Sequence, residues 1–299
     1  MVCSALAGVY VVVQIQRLLA GIGVLWLLMA GAVGGQTITV SQNAVNKIKL
    51  ADRQRLLSEQ LGRSICLVMG HIDAASESDR ARGSADLFDT TMRALRSGDE
   101  NMGLLAETNV DVLAALDHVE EISVTYRAAA LQVGAGDLHA VPIGQIMQLS
   151  DPLLHRSNEA LAVIENTYGD VRNAKRVKTV ELARRQTVLS QKLMKEICFV
   201  SLNINQGRMI SSLAASLAEF ERAQVLLEQG SLPDGVLHPT PRLAKKLAAV
   251  RGLWDEFALS AHKVAAGRNL TTAELEELVT LSNQLLFKCK QAARAYAKL

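Results

Sequence analysis

Residues 50–66 read LADRQRLLSEQLGRSIC, and residues 182–198 read LARRQTVLSQKLMKEIC, with nine identities over 17 positions at an offset of 132. The same offset sets Phe88 on Phe220, Leu95 on Leu227 and Gly98 on Gly230. After small gaps, Val119, Ile122 and Tyr126 fall on Val250, Leu253 and Phe257, and Ser157-Asn158 on Ser282-Asn283. A shared offset over distant points marks an internal duplication. The two units span residues 40–170 and 171–299, and two copies are too few for a solenoid.

Each unit holds four helical stretches. The apolar spacing places them at about 42–76, 80–97, 106–133 and 142–170, then at about 171–208, 211–229, 240–267 and 271–298. RSGDENMG and EQGSLPDGVLHPTP read as loops between second and third helices. GAGDLHAVP and AGRNLTT separate third from fourth, with Thr271 or Thr272 as N-cap. Apolar residues make up 49% of the chain but aromatics only 4%, a balance of Ala, Leu and Val that suits helices packed on helices. The expected fold is all-α: two tandem antiparallel four-helix bundles. Between Leu153 and Gln206 there is no proline, and Gly169 stands alone. One long continuous helix is therefore expected to join the bundles into a stacked rod.

Ahead of the repeats, Arg17 precedes an uncharged apolar run from Leu18 to Val33, with Ala30-Gly31-Ala32 as a small-residue cleavage site. Residues 1–35 read as a secretory signal, with an uncleaved anchor at 18–33 and an ordinary buried helix as alternatives. Either leading reading makes the remainder periplasmic. Cys66, Cys198 and Cys289 follow, without C-x-x-C or metal spacing. They read as small apolar residues, or as partners in an intermolecular disulfide. Charge is nearly balanced, 32 basic against 30 acidic residues, and no nucleic-acid partner is indicated.

On a helix at 100° per residue, Leu50, Gln54, Leu57, Leu61, Ile65, Val68 and Ile72 share one face, as do Leu182, Gln186, Leu189, Leu193, Ile197, Val200 and Ile204. That face is the bundle core. Gln54 and Gln186 are its polar members and need hydrogen-bond partners that fix helix register. Arg55 lies about 130° from the centre of that face. Ile48, Gly62, Cys66 and Met69 share its side, and Val180, Thr187, Met194 and Cys198 form the matching stripe in the second copy. A helix with two apolar stripes contacts its own bundle and a partner helix. The expected partner is the same helix of a second protomer in a homodimer. Two arginines would then meet and call for an anion between them. The alternative pairs Arg55 with Glu59 at i+4.

LADRQRLLSEQL and LARRQTVLSQKL resemble the A-G-R-Q-R-M-L-S-Q-R motif of the type IV pilus chemotaxis transducer N-terminal (PilJ-type) domain, a relative of the periplasmic sensor domain of NarX-like nitrate/nitrite kinases. LFDTTMRALRSGD and EFERAQVLLEQGS resemble the second helix of that family. The resemblance implies an extracytoplasmic sensor bundle that dimerises through its first helix. It places Arg55 as the ligand arginine for a small oxyanion such as nitrate, with Arg53 and Ser58 beside it. Thr187 in the second copy lacks the guanidinium. Asp52 and Arg184 stand where the family has glycine, and Asp52 brings negative charge near an incoming anion.

The sequence continues to Leu299 without a HAMP-like linker, kinase or signalling coiled coil, so any signal is expected to pass to a partner membrane receptor or signalling protein. No catalytic residues, metal site or cofactor are indicated. The six histidines are scattered, and the acids around His118 spread over several helix faces. A structural scaffold docking a membrane or pilus-associated partner without a ligand is the competing reading.

Overall fold

A computed structural model describes residues 38–169 and 174–298, with no side-chain detail at 174–175. The expected signal or anchor at 1–35 and the unit boundary at 170/171 lie outside the described residues. Eight α-helices are described: α1 Val40–Met69, α2 Ala74–Ser97, α3 Val110–Gly134, α4 Ala140–Tyr168, α5 Ala174–Ser201, α6 Gln206–Gln229, α7 Pro241–Ala265 and α8 Thr272–Tyr296. They pack as two antiparallel four-helix bundles, α1–α4 and α5–α8. Among the described residues, none of the helices is long and apolar enough to cross a membrane.

The duplication is visible in the packing. Phe88 and Phe220, Leu95 and Leu227, Val119 and Val250, and Tyr126 and Phe257 are all buried at matching points of the two cores. Gln54 donates from Nε2 to the Phe88 carbonyl at 3.1 Å, and Gln186 to the Phe220 carbonyl at the same distance. Each amide pins the first helix of its bundle to the second. After the second helix, Gly98 and Gly230 take φ values of +79° and +67°, a region open to glycine. Matching backbone bridges, Asp99 with Leu104 and Ser231 with Val236, close each turn. Thr271 caps α8 in a capping box with Glu274.

Several boundaries differ from the sequence expectation, α2 and α6 beginning earlier than expected at Ala74 and Gln206. α1 and α5 end at Met69 and Ser201, a turn or two before the spans read from periodicity. His71 and Asp73, and at the matching positions Asn203 and Asn205, adopt left-handed backbone conformations. Asn, Asp and His tolerate that region better than other side chains, so each turn forms without glycine or proline at its centre. The expected continuous helix from the first bundle into the second is interrupted as well. α4 ends at Tyr168, and Gly169 is extended at φ −70°, ψ 151°. The bundles are accordingly side by side rather than stacked, with α1 packed along α5.

Candidate functional site

The α1–α5 seam is where the two copies meet. Its contacts run in register and in one direction. Asp52 lies 3.7 Å from Arg184, Cys66 is disulfide-bonded to Cys198, and a side chain at Gly70 would touch Leu202. Each of these pairs joins positions equivalent under the 132-residue offset, so the helices are parallel and related by an internal pseudo-two-fold axis. The outward stripe expected to face a second protomer is covered by the same chain. Gly62, Cys66, Val180, Thr187, Met194 and Cys198 are buried, and Ile48 and Met69 are half-buried against the core.

Cys66 and Cys198 are the residues for which sequence reasoning missed the outcome. Their Cα atoms are 6.1 Å apart and the bond is intramolecular, within the usual disulfide span. Neither the small-apolar reading nor the intermolecular bridge describes them. The available signal was their equivalence: one cysteine per copy, at one position, on the outward stripe. Cys289 is a free buried thiol whose pKa burial raises to about 12.

Arg55 sits in this seam and is only 2% exposed. Its Nη1 donates to Glu181 of α5 at 2.9 Å and to Asn158 of α4 at 3.2 Å, and its Nη2 donates to Asp52. Glu59 is not its partner. Burial works against the charged guanidinium, but the charges and hydrogen bonds of Asp52 and Glu181 hold its pKa above the ordinary value. Glu165 lies close by, and burial together with the Glu181 charge raises its pKa although Arg55 and Arg184 pull it down. Thr187 takes the equivalent place in α5, so no second guanidinium opposes Arg55. Two arginines, Arg55 and Arg184, thus stand among three carboxylates, Asp52, Glu181 and Glu165, and the centre carries no surplus positive charge.

One turn further along the seam, Lys195 of α5 reaches into the first bundle. Its Nζ is 2.7 Å from Glu59 Oε2 and donates to Ser150 Oγ at 2.7 Å. All three side chains are buried. Burial would lower the Lys195 pKa, but Glu59, Asp151 and Glu196 hold it above the ordinary value. The periodic pattern gave no hint of this pair, because its members belong to different copies.

Arg53 and Ser58 are not brought to the Arg55 guanidinium. Ser58 is buried and returns its hydroxyl to the Arg55 carbonyl at 2.8 Å, while its own carbonyl accepts from Tyr126 at 3.3 Å. Arg53 points away from the seam into a separate surface cleft. Among the described residues, no group of three or more His, Cys, Asp or Glu side chains is placed to hold a metal ion.

The fold and seam define a paired helical-bundle module, with both halves of the pair in one chain. Residues 36–149 match the family model described as type IV pili methyl-accepting chemotaxis transducer N-term (PilJ). The match runs through α1, α2 and α3 into α4, and it suggests a signalling or sensor role in a non-catalytic family. The likeness of the second bundle to the first rests on the repeat and the coordinates. No curated protein gives a match to the chain.

Proposed function

We propose that this chain is an extracytoplasmic sensor-type module acting in signal transduction or chemotaxis through a signalling partner. In this reading its two bundles form internally the pair that a two-chain sensor forms by dimerisation. The observation that carries it is the parallel α1–α5 seam, in which equivalent positions of a PilJ-like bundle and its copy face one another and are joined by Cys66–Cys198. A buried disulfide also agrees with a periplasmic location.

The finer reading, a nitrate-like anion held by Arg55, draws support from the place of this arginine on the seam. The Asp52 and Glu181 carboxylates already occupy both terminal nitrogens that such an anion would use, leaving only the buried Nε without a partner. An anion enters only by displacing them, so internal carboxylates stand in for a ligand and hold the pair closed. The same observation favours the second reading, a ligand-free scaffold. A deletion strain complemented with wild-type or Cys66→Ser/Cys198→Ser protein tests the sensor role. Altered chemotactic or pilus-dependent motility, restored by the wild type, supports it. Unchanged responses across attractant and surface-motility assays contradict it.

A further inference from the structure

A cleft of about 230 Å³ opens between α1, α2 and α8, away from the seam's Arg55 centre. Arg53, Arg63, Arg80 and Lys290 line it. Arg63 is only 3% exposed, and its Nε and Nη2 donate no hydrogen bond. The nearest acid is the buried Glu77, 3.5 Å from Nη2, and Glu77 is already shared with Arg80 and with the Ser64 hydroxyl at 2.6 Å. Among the described residues Arg53 and Lys290 form no ion pair. Lys290 is depressed below the ordinary lysine pKa by burial and by the like charges of Arg294 and Arg53. Four cations thus line the cleft, and the acids paired with them are Glu77, shared by Arg63 and Arg80, and the exposed Asp73 at 4.0 Å from Arg80. Such a concentration of like charge, with a buried guanidinium left short of acceptors, is unfavourable until an anion fills it.

The second copy provides an internal control. Arg185 is equivalent to Arg53, but it pairs with Glu219, which stands where the cleft has Leu87. Lys195 is equivalent to Arg63, but it pairs with Glu59. Ser212 replaces Arg80. The same region is therefore neutralised in one bundle and left cationic in the other.

The geometry points to this cleft as a binding site for a small polyvalent oxyanion, a phosphate or a di- or tricarboxylate, with Arg63 at its floor and Arg53, Arg80 and Lys290 at its rim. Three guanidiniums offer the forked donors that carboxylate and phosphate oxygens accept. The site deepens the sensor reading and rests on it for its purpose, but calorimetry on the purified chain reads the cleft alone, whereas the deletion strain reads the sensor role. Failure of one is therefore distinguishable from failure of the other.

The test is titration of the purified protein with phosphate, citrate and nitrate at constant ionic strength set by sodium chloride. Saturable binding of phosphate or citrate is expected, and whichever binds more tightly identifies the ligand chemistry. Because Arg63 is buried, the rim variants Arg53→Gln and Lys290→Gln carry the test. Each should weaken binding about 10- to 150-fold, the range for losing one charged hydrogen bond, while Arg82→Gln, outside the cleft, leaves it unchanged. No saturable binding of either polyvalent anion overturns the proposal. So does binding that survives in Arg53→Gln/Lys290→Gln, or that falls equally in Arg82→Gln.

Discussion

Cys66 and Cys198 hold the same position in two copies of one helical motif, and the fold places them opposite one another with Cα atoms 6.1 Å apart. A pair of equivalent residues can meet in this way only at a two-fold axis. The α1–α5 seam therefore carries, within one chain, the pseudo-two-fold symmetry that a pair of such bundles would have. The linkage follows: what two separate bundles would gain by association, these two gain by covalent connection and a disulfide.

Gly62 is a close-approach position in that seam. A Cβ there would lie 2.6 Å from the Tyr126 hydroxyl and 2.9 Å from Lys195 Cδ. The equivalent residue, Met194, is fully buried, so the two sides of the seam are not interchangeable. Lys195 cannot swing away, because Glu59 and Ser150 hold it. Gly62→Ala should destabilise the protein by about 1–3 kcal/mol, the usual range for overpacking, read as a lower urea midpoint. A midpoint equal to the wild type would show that the seam is looser than described.

Lys195→Met removes the only cation within ion-pairing distance of Glu59 among the described residues. Leaving a buried carboxylate unpaired destabilises by about 3–5 kcal/mol. The double variant Glu59→Gln/Lys195→Met should recover most of that loss, since the pair's attraction is largely offset by desolvation. Chemical denaturation of the three variants forms the cycle. If the double variant is as unstable as Lys195→Met, the loss lies in packing rather than charge.

Much of this arrangement was legible in the sequence, and its limits have physical reasons. Periodicity marks Gln54 and Gln186 as core positions, and the fold gives them equivalent carbonyl partners, Phe88 and Phe220. The second apolar stripe on α1 calls for a partner helix, but a helical wheel does not say whether that helix lies in the same chain. The partners of Arg55 were out of reach for the same reason: Glu181 and Asn158 come from other helices. The helix ends at Met69 and Ser201 escaped because the left-handed turns that follow are made by His71, Asp73, Asn203 and Asn205 rather than by glycine, and Gly70 alone marks only the first of them. Gly169, alone in an otherwise helical stretch, proved sufficient to end α4.

Removing Arg55 should reveal a pH dependence. Arg55→Ala leaves Asp52, Glu181 and Glu165 near one another without their main cation, and a loss of about 2–3 kcal/mol at pH 7 is expected, reduced because both paired acids are partly solvated. Glu165 already has a raised pKa in the folded protein, so the folded state takes up a proton that the unfolded chain has not yet bound. Stability from that source rises as pH falls from the raised value toward the ordinary carboxylate range. Without Arg55 the carboxyl moves higher still, so the penalty should shrink between pH 7 and about 5. Thermal melts across that range check it, and a penalty that grows on acidification contradicts the assignment. Glu181→Gln in the Arg55→Ala background should also restore part of the lost stability.

The disulfide also closes a long loop in the unfolded chain, and Cys66→Ser/Cys198→Ser is expected to lower stability by about 2–5 kcal/mol while leaving the helix content intact. Its connectivity tests the internal pairing of the two copies most directly. Protein purified from an oxidising compartment, alkylated without reduction and digested, should yield a single cross-linked peptide pair joining Cys66 to Cys198, with Cys289 free. On non-reducing electrophoresis the chain should migrate as a monomer. Cys66 joined to Cys66 of another chain, or both cysteines recovered as free thiols, would contradict the internal pair.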